Sequence, residues 1–424
     1  MDTIFALSSG QPPAGVAVLR ISGPRAAEAL RELAGSLPEA RHASLRTLHN
    51  GSGDVLDRAL VLWFPGPNTA TGEDLAELHL HGGRAVIAAV EAALANLSGL
   101  RRAAPGEFTR RAFANGRIDL AEAEGLADLL AAETELQRRV ALDMAEGVFS
   151  RQVADWRDRI LICSAQIEAV LDFADEDDVA SLPSEFTAEI LGLANGIREA
   201  LDAPHAETLR EGFRVVLAGP PNAGKSTLFN ALVESEAAIT SPSAGTTRDV
   251  LVRPVALGGV PFSFIDTAGL RDEGAGEIEA IGIARAQAEL ERADLVLWLG
   301  SEGQGPQGAW DVEAQIDLPH HDAKSAPSHR VSAVSGEGIA SLKQDLIVLA
   351  QDAMPRPGQA ALSARQRGLL RDAVAALEGA VSQSDPLLIA EQLRLGRVAF
   401  DRLIGRAATE DMLDALFGRF CIGK

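Results

Sequence analysis

The sequence predicts a multidomain chain: an α+β domain at the N-terminus, an all-α helical domain, and a doubly wound α/β domain inserted into the helical one. Three observations carry this. The first 120 or so positions mix short β-rich runs with helical spacing; the next 90 are rich in Ala, Leu and Glu at helical spacing; and from Phe213 the pattern becomes strand, glycine turn, helix, then further strands and helices to about Ala350. At 424 residues the chain is also too long for one ordinary domain.

Taken in order, strand signals at 15–21, 58–64 and 74–80 and a helical pattern at 84–97 assign residues 1–119 to the α+β domain. Residues 120–210 read as long helices, proline being confined to places such as Pro183 and Pro204. Residues 211–353 form the inserted domain, which closes at Met354-Pro355-Arg356-Pro357-Gly358; helical periodicity then resumes over 354–424. No internal repeat is visible.

Composition excludes several classes. No stretch approaches the roughly 18 apolar residues of a membrane helix, and the Met1-Asp2-Thr3-Ile4-Phe5 start carries an acid where a secretory signal has a positive region, so a cytoplasmic, membrane-free protein is expected. Two cysteines, Cys163 and Cys421, make no disulfide framework. A formal net charge of -21 disfavours nonspecific nucleic-acid binding, so any RNA contact is expected to be local or through a partner. Aromatics at 4%, with no tyrosine, argue against base-stacking platforms.

The strongest motif is Gly219-Pro220-Pro221-Asn222-Ala223-Gly224-Lys225-Ser226-Thr227 after the apolar run 214–218. This is a phosphate-binding loop in its required strand-to-helix context. Glycines let backbone N–H groups wrap the phosphates, the helix N-terminus favours the anion, Lys225 reaches the β- and γ-phosphates, and Ser226 is placed to ligate magnesium.

Further segments follow in the order of a GTP-hydrolysing domain. In Ala244-Gly245-Thr246-Thr247-Arg248-Asp249, Thr247 is a candidate to complete the magnesium shell and sense the γ-phosphate; a turn-capping threonine pair is the alternative. The run 261–265 ends in Asp266-Thr267-Ala268-Gly269, where Asp266 would hold magnesium through water and Gly269 would turn its N–H to the γ-phosphate. For the base, the family of motifs ending in a guanine-reading aspartate survives only as Asp317 in Ala314-Gln315-Ile316-Asp317, the alternative being an acidic surface turn before Pro319; Ser332-Ala333-Val334 fits a last loop offering backbone N–H groups to guanine O6. Leu270 stands where many GTPases place a water-orienting glutamine. Glu273, Glu277 or Glu279 is left to position that water, against the alternative of an exposed charged face.

Asn222, the Ala-Gly-Thr-Thr-Arg-Asp segment and Leu270 resemble potassium-activated GTPases that lack the catalytic glutamine. With the terminal Phe420-Cys421-Ile422-Gly423-Lys424, the run 106–120, Thr71-Gly72-Glu73-Asp74 and His81-Gly82-Gly83, the whole chain resembles the MnmE (TrmE) family of tRNA-modification GTPases. The resemblance completes the fold class as an inserted α/β P-loop GTPase domain. It implies a homodimer through the first domain, pairing with the FAD-containing protein MnmG, and installation of an aminomethyl or carboxymethylaminomethyl group at C5 of the wobble uridine of certain tRNAs. It also implies a 5-formyl-tetrahydrofolate one-carbon donor held by Arg20, Glu77, Arg117 (where lysine is common) and Lys424. On the residues alone, Arg20 and Glu77 fit a structural ion pair equally well. The family further implies a potassium ion at Asn222, Ser241, Ser243 and Thr246, completed when two nucleotide domains face one another, and Glu279 as the water-orienting residue. Cys421, beyond a helix capped at Thr409, becomes a candidate for the modification chemistry, whereas a lone cysteine is usually a small buried hydrophobe.

Three other functions compete: a ribosome-assembly GTPase, opposed by the charge; a non-hydrolysing switch scaffold, which Leu270 permits; and a folate-dependent transferase working without GTP.

Overall fold

The computed structural model describes residues 2–172, 182–204, 206–234, 252–267, 287–407 and 409–424. They divide into two compact units, Met1–Ala127 with Phe400–Lys424, and Asp128–Ala399.

The first unit begins with β1 (Thr3–Leu7), β2 (Ala14–Ser22), α1 (Ala26–Ala34), β3 (Ser44–His49), β4 (Val55–Phe64), β5 (Leu75–Gly82), α2 (Arg84–Ala95), β6 (Leu100–Arg102) and α3 (Glu107–Ala114), followed by α4 (Leu120–Ala131). The strands form one sheet in the order β3-β4-β5-β2-β1-β6, antiparallel except for β1 with β6. Period-two burial explains the sheet: Ala17, Leu19 and Ile21 of β2 are buried while Val18 and Arg20 between them are only half-buried. The inner face packs Phe5, Leu19 and Leu78 on Leu30 and Leu33 of α1 and Val90 and Leu94 of α2. Ile4 and Ala6 of β1 belong instead to a cluster with Ala103 and Phe108 of α3.

The second unit contains α5 (Glu135–Ala145), α6 (Val148–Asp172), α7 (Phe186–Leu201), α8 (Ala206–Glu211), β7 (Phe213–Ala218), α9 (Lys225–Val233), β8 (Val252–Leu257), β9 (Val260–Asp266), β10 (Leu295–Trp298), β11 (Trp310–Glu313), β12 (His329–Arg330), α10 (Ile339–Asp352), α11 (Ala364–Ser382) and α12 (Pro386–Leu403), whose last residues pass into the first unit. Its sheet runs β12-β11-β10-β7-β9-β8, parallel but for the β8 edge. β7 is central and apolar on both faces: Val215 and Leu217 enter one cluster, Val216 and Ala218 the other. Such a doubly buried strand is what a parallel sheet covered by helices requires. Phe262 and Phe264 of β9 stack with centroids 5.7 Å apart. Capping boxes at Thr134 with Gln137 and at Ser363 with Gln366 start α5 and α11. The β8–β9 turn meets α5, Leu136 N donating to Gly259 O at 3.1 Å.

The last helix, α13 (Glu410–Phe417), returns to the first unit, where Leu413, Phe417 and Phe420 pack with Leu120 and Ala123. Thr409 takes the N-cap position as the sequence suggests, but its side chain makes no capping hydrogen bond. The strand signals at 15–21, 58–64 and 74–80 correspond to β2, β4 and β5; β1, β3 and β6 had no counterpart in the sequence reading.

Phe264 is fully buried in the second sheet's core. Phe264→Ala is expected to destabilise that core by about 3–5 kcal/mol through lost transfer energy and a residual cavity. Urea unfolding of the full chain measures this, and a loss under about 1 kcal/mol would contradict the packing described.

Candidate active site

Three left-handed or otherwise unusual backbone positions shape the loop between β7 and α9. Gly219 has φ 149°, Asn222 φ 63° and Gly224 φ 88°. A Cβ on Gly219 would lie 3.0 Å from Gly300 N and 3.1 Å from Leu299 C, so only glycine lets β7 end this close to the strand beside it. Gly224 is the N-cap of α9 and has no side chain with which to bond the first amides of the helix. Those amides, with the helix dipole behind them, form a site suited to phosphate.

Lys225 opens α9 and is buried, its Nζ donating to Gly219 O at 3.1 Å and Pro220 O at 2.8 Å. The ammonium is thus folded back over its own loop and solvated by its carbonyls. Ser226 Oγ donates to Asp266 Oδ2 at 2.7 Å, and Asp266 is itself buried at the end of β9. A hydroxyl and a carboxylate in contact at the start of α9 are hard oxygen donors, and the pair fits magnesium. Thr267 Oγ1 donates to Leu217 O at 2.8 Å, tying the end of β9 to β7. The structure therefore brings Asn222, Ala223, Gly224, Lys225, Ser226, Thr227, Asp266 and Thr267 to one end of the sheet.

The candidate base-reading segments also lie beside one another. Asp317 is exposed in a turn closed by Leu318 N donating to Gln315 O at 2.9 Å, and Ile316 N donates to Val331 O at 3.4 Å, next to Ser332. The backbone N–H of Ser332 is taken by Glu337 O at 2.9 Å, which corrects the expectation of a free donor there; Ala333 and the exposed Val334 follow it.

Three groups around this turn escaped sequence reasoning. His321 Nδ1 faces Leu318 O at 2.9 Å and its Nε2 faces Glu313 Oε1 at 2.8 Å. Both partners are acceptors, so the ring is satisfied at both nitrogens only as imidazolium. The Leu318 carbonyl first, and then Glu313, raise the His321 pKa above 6.5. Burial opposes the charge of Glu313, but hydrogen bonds from His321 and from Arg330, whose Nε lies 2.9 Å away, hold its carboxyl below the ordinary value. No spacing in the sequence signals this cluster, because it joins β11, a turn and β12.

In the first unit Arg20 and Glu77 face one another across β2 and β5, with Arg20 Nε and Nη2 both donating to Glu77 Oε1 at 3.1 and 2.8 Å. His79 Nε2 lies 3.3 Å from Glu77 Oε2. Burial works against the Glu77 charge, but Arg20 and then His79 outweigh it and lower its pKa. Arg117 is exposed, with its Cγ close to Gly72. Lys424 belongs to a tail anchored at the end of β1, where Ser8 Oγ donates to Gly423 O at 2.8 Å, and Cys421 in that tail is exposed. Ser241, Ser243, Gly245, Thr246, Thr247, Ala268, Gly269, Leu270, Glu273, Glu277 and Glu279 lie outside the described residues.

Among the described residues, no helix is long and apolar enough to cross a membrane. The family model described as the MnmE helical domain matches residues 120–421, and that of the GTP-binding protein TrmE N-terminus matches residues 3–117. The tRNA modification GTPase MnmE of Novosphingobium aromaticivorans is 64% identical over 435 residues, covering 100% of both chains. Its counterparts in Erythrobacter litoralis and Zymomonas mobilis are 62% and 51% identical, each again covering 100% of both chains.

The His321 clamp makes a signed prediction. A raised folded pKa contributes stability that is fully present below the ordinary 6.5 and is lost as pH rises through the folded value. The difference in melting temperature between the native chain and His321→Gln is therefore expected to be largest near pH 6 and to shrink as pH rises, in thermal melts spanning roughly pH 6 to 9. A difference independent of pH would contradict the doubly bonded imidazolium.

Proposed function

Because the chain belongs to the MnmE family of tRNA-modification GTPases, we propose that it hydrolyses GTP as part of a complex that modifies the wobble uridine of certain tRNAs. The observation that carries the GTPase half of this reading is the phosphate loop itself: left-handed Asn222 and Gly224, buried Lys225, and the Ser226–Asp266 pair at one sheet end.

In this reading Lys225 exchanges its two carbonyl partners for the β- and γ-phosphates, while the amides from Asn222 to Thr227 bind the same oxygens. Magnesium, held by Ser226 and Thr247 and through water by Asp266, supplies positive charge to the phosphates. Asp317 accepts hydrogen bonds from guanine, and the backbone N–H groups of Ala333 and Val334, the Ser332 N–H being held by Glu337 O, contact its O6. Glu279 orients the attacking water, a role that Leu270 has no polar group to perform. Asn222 with Ser241, Ser243 and Thr246 binds potassium when two such domains pair, which gives the charge an arginine finger gives elsewhere.

The first unit supplies the modification half. Arg20, Glu77, Arg117 and Lys424 are assigned to a 5-formyl-tetrahydrofolate or related folate, whose amide edge and carboxylates suit guanidinium, ammonium and carboxylate partners. The Arg20–Glu77 pair suits this role because it is only half-buried and so accessible from solvent. Cys421 is a candidate participant because its thiol is exposed in the anchored tail. Homodimerisation through this unit and association with the FAD-containing partner MnmG complete the proposal, adding an aminomethyl or carboxymethylaminomethyl group at C5 of the uridine in the cytoplasm.

The test is GTP turnover by the purified chain in matched potassium and sodium buffers, with ATP as competitor. Potassium is expected to raise turnover at least about a hundredfold, the lower end of what one charge-stabilising group contributes to a transition state, with the stimulation lost in Asn222→Ala. Equal slow turnover in both salts would remove the cation mechanism and favour a switch scaffold instead.

A further inference from the structure

The turn that carries Asp317 hangs on a connection with no regular structure of its own. Parallel strands are usually joined through a helix, yet residues 314–328, all of them described, link β11 to β12 without helix or strand. On the phosphate side the turn is held by Gln315, whose Nε2 donates to Asn222 O at 3.3 Å. Asp317 itself stands between Ile316, whose N–H donates to Val331 O at 3.4 Å, and Leu318, whose N–H donates to Gln315 O at 2.9 Å. The Leu318 carbonyl in turn is taken by His321 Nδ1 at 2.9 Å.

His321 passes that hold on to the sheet. Its Nε2 donates to Glu313 Oε1 at 2.8 Å, and Glu313 Oε2 accepts from Arg330 Nε at 2.9 Å, so a buried carboxylate at the end of β11 links the turn to β12. Arg330 Nη2 also reaches Lys324 O at 3.4 Å, drawing in the far half of the same connection. The charged groups facing the ring are therefore Glu313 from β11 and Arg330 from β12. On its own segment the titratable neighbours are Asp317, His320 and Asp322, together with Lys324, which turns away to Asp311 Oδ1 and Trp298 O, both at 3.0 Å. The Leu318 carbonyl and Glu313 favour a charge on the ring, and Arg330 opposes it. Glu313 keeps Arg330 whatever the ring does, so the carboxylate stays ionised and any loss of charge falls on His321. A neutral ring donates from one nitrogen only. It must then release Leu318 O or Glu313, and the partner released is left facing a ring lone pair.

We propose that His321 is a positioning residue for base recognition: as imidazolium it fastens the Asp317 turn to β11 and β12, and loss of its proton loosens the turn and weakens guanine-nucleotide binding. The inference rests on the assignment of Asp317 to the base. The clamp is complete below the ordinary 6.5 of a histidine and is lost as pH rises through the higher folded value. The phosphate loop stands on β7 and α9, at the other side of the turn, so the binding of phosphates alone should not follow this titration.

The test is displacement of a fluorescent GDP from the full-length protein by GDP and by inorganic triphosphate between about pH 6 and pH 9, for the native chain, His321→Ala and His321→Lys. At the acid end His321→Ala is expected to bind GDP about threefold to tenfold more weakly than the native chain, the scale of one net hydrogen bond, and at the alkaline end the two should agree within about twofold. His321→Lys, whose ammonium stays charged over this range, should bind GDP nearly as the native chain does at the acid end and keep that affinity at the alkaline end. Triphosphate should bind all three chains alike at every pH. Taking each variant as a ratio to the native chain cancels the titration of the GDP phosphates themselves. A GDP ratio for His321→Ala that does not change with pH would overturn the proposal, because a merely structural histidine gives that result. Equal changes for GDP and triphosphate would overturn it too, as a general disturbance of the nucleotide site. Asp317→Asn tests the underlying assignment separately: a switch in preference from GDP to xanthosine diphosphate upholds it, and no switch removes the turn from base recognition whatever the His321 variants show.

Discussion

A buried ammonium held by its own loop is the interaction from which the rest of the second unit takes its form. Lys225 reaches Gly219 O and Pro220 O only because Gly219, Asn222 and Gly224 turn the chain through conformations that ordinary residues avoid. Those turns in turn need a rigid base, which β7 supplies by being apolar on both faces and central in its sheet. With β9 tied to β7 by Thr267, Asp266 is placed where Ser226 meets it. A concentration of polar groups this dense is tolerable at the edge of a core because each is satisfied by a partner within hydrogen-bond distance.

The second constraint is long-range. Residues 315–317 are far from the phosphate loop in sequence and are brought to it by the parallel strand order β12-β11-β10-β7, with Val331, just before the 332–334 loop, bonded to Ile316. The turn is then held from two sides, by Gln315 against the phosphate loop and by His321 against Glu313. In the first unit the same principle appears at the tail. Gly423 has φ 94°, and a Cβ on it would fall 2.0 Å from Leu7 O, so a glycine is needed for the last residues to lie along the end of β1. That contact holds the segment bearing Cys421 and Lys424.

The loop at 219–227 was legible because strand, turn and helix are contiguous and each carries a local signal, and the Asp266 segment because an apolar strand runs straight into it. The helices of 120–210 were legible by period alone. The short strands were not. β1 is a five-residue run whose first four residues are all buried, with no alternation to mark it, and β6 is three residues, two of them arginines, that pair in parallel with β1. Neither has a pattern apart from its partner. The Gln315 tether, the His321 clamp and the docking of the tail rest on contacts between distant segments and on left-handed backbone at non-glycine or terminal positions, which propensity and periodicity do not encode. The Arg20–Glu77 pair was visible as two candidate residues, but their juxtaposition comes from the register of β2 with β5.

The most direct test of the account is a crystal structure of the full chain with GDP bound. The account predicts that the terminal phosphate lies at the N-terminus of α9, that the Lys225 ammonium leaves Gly219 O and Pro220 O for it, and that the guanine edge meets Asp317 with Gln315 still on Asn222 O. GDP bound away from this loop, with both Lys225 carbonyl contacts intact, would contradict it.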